Sequence, residues 1–337
     1  MGFSPSNGSG PPLGCLYGLN LMEINFTDLP KAIRLRARSV GPTGERWVAT
    51  LEETVSSLAL KWQFVPREIL SGGSESLILA VALKDDSPAV LKVGLPGVCD
   101  CKTESHVLRI ANGTAYPRLL EHDEEYNALL VERLGARLSD SDLPVSQQIE
   151  VLCQTLQEAW IPLQSSQGFM TGGEKARWLL EFNESVWRDL GKPCAEGTQE
   201  LALSFATERE AAFDPNNSVL VHGDAHSHNT LRSFDKKGGY KFVDPDGLFA
   251  EPAYDLGISM RGWNDELLVG DAITLGQARC RTLASLTGID ERAIWQWGFM
   301  ERVSTGLLML QIGMTQSGVR TLAVADLWAD ASISWNR

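Results

Sequence analysis

The sequence predicts an α+β chain of two unequal lobes: a small antiparallel sheet with one helix, then a larger, mainly helical lobe. Three observations carry this. Between Ile69 and Val93 short apolar runs alternate with glycine and proline turns. Past Gly135 the apolar residues change to long helical periods. Within that helical part lies a polar loop between strands, Val221-His222-Gly223-Asp224-Ala225-His226-Ser227-His228-Asn229.

In chain order, residues 1–14 are rich in Ser, Gly and Pro and read as a flexible leader. Met1-Gly2-Phe3-Ser4-Pro5-Ser6 formally meets an N-myristoylation pattern, but so short a pattern recurs by chance and one acyl chain anchors weakly. Trp47, Leu51, Val55, Leu58, Ala59 and Trp62 recur at helical spacing and predict an amphipathic helix over Arg46–Trp62. From Ile69 to Val81 the chain reads as strand, glycine turn, strand. Lys84-Asp85-Asp86-Ser87-Pro88 then turns into a third strand, Ala89–Val93. Glu104, Val107, Leu108 and Ala111 mark a helix stopped by Asn112-Gly113, and Ala128–Val131 is a further strand. A nucleotide-binding lobe over 15–132 and a catalytic, substrate-binding lobe over 133–337 follow from the change of texture. The second lobe has helical periods at Val145, Ile149, Leu152, Leu156 and Trp160, at Leu179, Phe182, Val186 and Leu190, and over Asp290–Met314. Two strands interrupt it, Val219–Val221 and Tyr240–Val243, with Asp235–Gly239 as their turn.

Composition narrows the function. The chain has 337 residues, 43% of them hydrophobic, enough for two cores or one bilobed core. Its longest apolar run, Leu77–Leu83, is too short to span a bilayer, and the N-terminus lacks a signal-peptide pattern, so a soluble cytoplasmic protein is expected. Six scattered cysteines, Cys15, Cys99, Cys101, Cys153, Cys194 and Cys280, suggest buried or idle thiols rather than a disulfide or zinc framework. A formal net charge of −13 argues against nucleic acid and anionic membranes as partners and suits a cationic small molecule; it is also a plain solubility device.

The polar loop points to phosphoryl transfer. Asp224 is placed as general base, five residues ahead of Asn229. Asp244 follows the next strand with a glycine three residues on, so that an amide and a second carboxylate can hold Mg²⁺ on ATP phosphates. Upstream, Lys92 on a strand reaches the phosphates while Glu104 on the next helix orients it. Gly72-Gly73-Ser74 lies where a kinase covers the phosphates, and reads equally as a hairpin turn. It is neither a Walker loop nor a dinucleotide fingerprint. His222, His226 and His228 offer metal-ligand chemistry, yet histidines in such a short loop more often brace backbone or touch substrate. Asp255 either caps a helix or accepts hydrogen bonds from the catalytic loop.

These residues resemble the aminoglycoside phosphotransferase family. The match looks most like the streptomycin 6-kinase and hydroxyurea phosphotransferase branch in Ala89-Val90-Leu91-Lys92-Val93-Gly94-Leu95-Pro96, Leu129-Leu130-Val131-Glu132-Arg133-Leu134, Glu251-Pro252-Ala253-Tyr254-Asp255-Leu256 and Glu301-Arg302-Val303-Ser304-Thr305-Gly306-Leu307. It runs from about Arg46 to about Gly313. The resemblance implies a bilobal protein-kinase-like fold, ATP with Mg²⁺, and transfer to a hydroxyl of a small molecule. It implies Asp224 as base, Asn229 and Asp244 as metal ligands, Lys92 with Glu104 as the phosphate pair, and Val131, Glu132 and Arg133 as the hinge for adenine. The branch shows Asp-Pro-Lys-Gly where this chain has Asp244-Pro245-Asp246-Gly247, and Leu-His-Pro-Gly where it has Ala225-His226-Ser227-His228. His226, His228, Asp246 and Glu251 are therefore the acceptor-side candidates, and His222 and Asp255 the bracing ones. The expected activity is an ATP-dependent O-phosphotransferase for a cationic, hydroxyl-rich acceptor such as an aminoglycoside. A metabolic sugar or amino-alcohol kinase is the alternative. A silent kinase-like binding module is disfavoured by the intact Lys92, Asp224, Asn229 and Asp244.

Overall fold

The computed structural model describes residues 24, 26, 29–73, 75–235 and 239–331. The leader, Cys15, Ser74 and most of the Asp235–Gly239 turn lie outside the described residues. Two helices, α1 (Lys31–Ser39) and α2 (Pro42–Trp62), come first. Pro42 opens α2, where its missing N–H costs nothing, and Gln63 closes it in the left-handed conformation. The stripe Trp47, Leu51, Val55 and Leu58 is buried, as its period predicts.

A five-stranded antiparallel sheet follows: β1 (Val65–Ile69), β2 (Ser76–Ala82), β3 (Pro88–Gly94), β4 (Leu119–Asp123) and β5 (Ala128–Glu132), in the order β1-β2-β3-β5-β4. Helix α3 (Cys101–Ala111) joins β3 to β4. Leu77, Leu79, Leu91, Val93 and Leu130 form one core with the α1 and α2 residues. Because strand side chains alternate, Lys92 between Leu91 and Val93 must face the other way, toward the large lobe.

The large lobe begins with α4 (Val145–Ala159), short strands β6 (Ile161–Pro162) and β7 (Met170–Thr171), α5 (Gly172–Asp189) and α6 (Glu196–Ala211). Strands β8 (Val219–Val221), β9 (Thr230–Arg232), β10 (Tyr240–Phe242) and β11 (Leu248–Ala250) then frame the polar loops. Helices α7 (Ala253–Ser259), α8 (Asn264–Val269), α9 (Ala272–Thr287), α10 (Glu291–Gln311) and α11 (Thr315–Ala329) complete it. The ribbon differs from expectation. Tyr240–Phe242 pairs with Thr230–Arg232, whereas Val219–Val221 lies between β6 and β11 in a separate four-stranded sheet. Three-residue strands are too short to show a period, which hid β9 and β11.

Helix α10 is the hub of the lobe. Every residue from Ala293 to Ser304 is buried, because α5, α6, α7, α9 and α11 surround it. Among the described residues no helix is long and apolar enough to cross a membrane. The described cysteines are all free thiols, buried except for the half-buried Cys99. This is the bilobal protein-kinase-like architecture.

Candidate active site

The sheet and the helical lobe enclose a cleft of about 450 Å³, with Ile78 and Val90 on one wall, Leu231 on the other and Lys92, Asn229 and Asp244 at its depth. Lys92 Nζ meets Glu104 Oε2 at 2.5 Å and also bonds Asp244 Oδ1, spanning the lobes. Burial opposes the Lys92 charge, but the Glu104 and Asp244 carboxylates outweigh it and raise the ammonium well above its ordinary range. Lys92 in turn is the main influence lowering Asp244, whereas burial raises Glu104 against the pull of Lys92. Asp244 is held at φ +63°, a left-handed conformation that aspartate tolerates and that concentrates at functional sites.

Asp224 stands on the loop between β8 and β9. His226 Nε2 lies 3.2 Å from its Oδ2, Asn229 Nδ2 donates to the same oxygen at 3.1 Å, and Arg261 bonds its Oδ1. Burial works against this carboxylate, but Arg261 and His226 hold it well below the usual range. The Asn229 amide nitrogen is thus spent on Asp224, and among the described residues its Oδ1 has no hydrogen-bond partner. That oxygen, with the open Asp244 carboxylate, fits a hard cation that takes few protein ligands and keeps several waters.

The loop is braced from beneath. Asp255, fully buried, accepts from the backbone N–H groups of His222 and Gly223, both at 2.8 Å, and from Trp160 Nε1 at 3.1 Å. Burial pushes this carboxyl up to about 6 despite those three donors. His222 Nδ1 accepts the Asp224 N–H at 3.0 Å, so Nε2 carries the proton and donates to Val243 O at 3.0 Å. Burial depresses its pKa to about 4, keeping the ring neutral. Gly223 has φ +93°, and a Cβ there would stand 2.7 Å from the Asp246 Cβ, so only glycine lets the two loops approach. Asp246 is exposed to solvent, yet its carboxyl is crowded by protein. That burial and the Asp224 charge push it up to about 7, with Lys175 acting in the opposite sense.

The remaining predicted residues divide. Gly72, at φ +115°, lies under Arg137, whose Nη2 donates to Ser71 O at 3.1 Å; Gly73 is packed on Ser76 O. Val131, Glu132 and Arg133 line the cleft. The Glu132 carboxylate is turned away to Lys241 Nζ at 2.8 Å, leaving backbone to face a ligand. Among the described residues the Arg133 and Leu134 N–H groups have no backbone partner, as a base edge requires. Two acceptor-side candidates take particular places. His228 lines the cleft beside Asn229, past the turn that the Asn229 N–H closes on His226 O. Glu251 is engaged by Arg209 at 3.2 Å and Trp297 Nε1 at 2.8 Å, and so braces α6 against α10.

Sequence reasoning missed the opposite wall. Arg261, just past α7, links Asp224 to Glu301 on α10, the latter contact at 3.5 Å. Glu301 also accepts from Tyr254 Oη at 2.6 Å and faces Lys175 on α5 at 3.6 Å. The only local signal was a glutamate placed in an otherwise apolar helical period.

Comparison with known proteins gives the family. The family model described as aminoglycoside/hydroxyurea antibiotic resistance kinase matches residues 61–313. A streptomycin 6-kinase of Streptomyces griseus is 27% identical over 296 residues, covering 87% of this chain and 94% of that protein. A hydroxyurea phosphotransferase of Kitasatospora aureofaciens is 25% identical over 275 residues, covering 78% of each. Among solved structures, the choline kinase LicA of Streptococcus pneumoniae superposes with a TM-score of 0.53 at 14% identity, over 82% of this chain and 98% of that one, a likeness of fold. The chain belongs to the aminoglycoside/hydroxyurea antibiotic resistance kinase family and is a small-molecule phosphotransferase.

Proposed function

We propose that the protein transfers the γ-phosphoryl group of MgATP to a hydroxyl of a small, cationic, hydroxyl-rich acceptor of the aminoglycoside type. The observation that supports this best is the convergence of Lys92, Asn229 and Asp244 on the cleft floor beside Asp224. Bound MgATP supplies the phosphoryl group and the cation that offsets its charge. Lys92, fixed by Glu104, orients the phosphates. Asn229 Oδ1 and the Asp244 carboxylate would hold the metal. Asp224, kept anionic and aimed by His226 and Arg261, accepts the hydrogen bond of the attacking hydroxyl and draws its proton as the new P–O bond forms and the bond from the γ-phosphorus to the bridging oxygen breaks, releasing ADP. The backbone of Val131–Arg133 grips the base, and Gly72, Gly73 and Ser74 cover the phosphates. Asp246, beside Asp224, offers the acceptor side a carboxyl that burial and Asp224 push up to about 7, so an approaching ammonium or guanidinium group favours its charged form and is held by it.

A screen of streptomycin, other aminoglycosides, amino alcohols and neutral polyols, read by ADP release, tests the reading. Cationic acceptors should turn over at low concentration. Preference for neutral polyols would overturn the acceptor class, and the absence of turnover with every acceptor would overturn the transfer.

A further inference from the structure

The wall around Glu301 already holds a cation of its own. Lys175 Nζ stands 4.4 Å from the Trp178 ring centroid, 5.8 Å from that of Tyr254 and 3.6 Å from Glu301 Oε1. Two aromatic faces and a carboxylate are the partners that suit an ammonium or guanidinium group once water is thinned out. Water is thin here: Lys175 is 16% exposed at its side chain and Glu301 5%. The cage adjoins the candidate chemistry, since Glu301 faces Arg261 and Arg261 bonds Asp224. It also opens outward, because Trp178 is 44% exposed and stacks on Phe182 with centroids 5.0 Å apart.

Lys175 differs from its neighbours in one mechanical respect. Its ammonium rides on a flexible four-carbon stem and can leave without moving α5, whereas Trp178 and Tyr254 are rigid rings and Glu301 is fixed in the buried α10. We propose, resting on the cationic acceptor inferred above, that Lys175 is a built-in occupant of an acceptor subsite. The acceptor's guanidinium or ammonium group enters between Trp178 and Glu301 as Lys175 swings out, which aims the acceptor's hydroxyls along the wall toward Asp224. The exchange is charge for charge. Glu301 therefore keeps two cationic partners in both states, Arg261 on Oε2 and either Lys175 or the acceptor's cation on Oε1. An acceptor without a cationic group leaves Lys175 in place and finds the subsite filled, so the lysine selects by exclusion.

Calorimetric titration of streptomycin into the full chain, with Lys175→Met and Trp178→Ala beside the wild type, tests this. Removing the internal competitor should tighten streptomycin binding by about tenfold, as expected when most of the free protein is in the blocked state. Trp178→Ala should weaken it. Protection of each variant from thermal unfolding by MgATP checks the fold. Equal or weaker binding by Lys175→Met overturns the proposal, as does a lack of streptomycin binding by wild type and variant alike. A second readout needs no turnover. In protein labelled with ¹³C at lysine Cε, the Lys175 signal, identified by its loss in Lys175→Arg, should be displaced by the Trp178 ring current and return toward the free-lysine position when streptomycin is added. A stationary signal overturns the proposal. Streptomycin that displaces Lys175 while no acceptor turns over would sink the transfer alone, and turnover of neutral polyols without streptomycin binding would sink the subsite and the cationic acceptor class while the phosphotransfer stood.

Discussion

The two walls of the site are assembled differently. On the side of Lys92, two pairings are local, Lys92 with Glu104 12 residues apart and Asp224 with Asn229 only 5, and one, Lys92 with Asp244, crosses 152. On the side of Glu301 every link is long: Arg261 reaches back 37 residues to Asp224, and Glu301 reaches Tyr254 across 47. The local pairings of the first wall are written in strand alternation and one loop. The second exists only once α5, α7 and α10 have packed. Substitutions on the first wall should therefore change chemistry or nucleotide binding one residue at a time, while those on the second propagate through a shared ion-pair chain.

The sharpest way to separate the walls is Asp224→Asn, at their junction. It should lower kcat by roughly 10²–10⁴-fold with MgATP affinity nearly unchanged, measured by ADP release and calorimetry. Near-normal kcat would remove the base assignment. Next comes Lys92→Met, which strands Glu104 in a buried site. Chemical denaturation should show a loss of about 3–5 kcal/mol, and the double variant Lys92→Met/Glu104→Gln should recover most of that stability but not MgATP binding. A double variant as unstable as the single one would show that the stranded carboxylate is not the cause.

A pH test probes the brace. The unfolded His222 binds a proton near pH 6.5 and the folded one only near pH 4, so between those values the unfolded state holds more protons. Stability from this group is full above pH 6.5 and is lost as pH falls toward 4, by at most about 3 kcal/mol. Replacing it in His222→Gln should flatten the stability profile over that window, and an unaltered slope would assign the loss to other groups. The smallest effect belongs to Asn229→Ala and Asp244→Ala, each expected to weaken Mg²⁺-dependent nucleotide binding by about tenfold. Titration at several Mg²⁺ concentrations would show it, and unchanged metal dependence in both would exclude them as ligands.

This contrast also explains what the sequence disclosed. Lys92 was legible through its order in the chain, on a strand ahead of Glu104, the polar loop and Asp244, and strand alternation turns it to the side opposite Leu91 and Val93. Asp224, Asn229 and Asp244 were legible because short spacing fixes them on adjoining loops. Strand β9 was not, since its three residues show no period, and the ribbon was assigned to Val219–Val221 instead. Arg261 and Lys175 stand in no sequence pattern that marks them, and only packing turns them inward. Glu251 sat in a family-like run, yet its carboxylate serves Arg209 and Trp297. Chain proximity to the polar loop was a poor guide to which face of the cleft a side chain joins.

The enclosure of α10 on all sides has an evolutionary consequence. Glu301 lies within a stretch where each residue is buried, so altering the acceptor wall at that position is also a core substitution, with its typical cost of 0.5–3 kcal/mol (~1 in the mean). Drift toward a new acceptor is cheaper on α5, where Trp178 and Met170 just ahead of the helix are exposed and can change without repacking the hub. A lineage under selection for a different antibiotic should accumulate its first replacements along that outer helix, and reach position 301 only after compensating changes have raised the margin of stability.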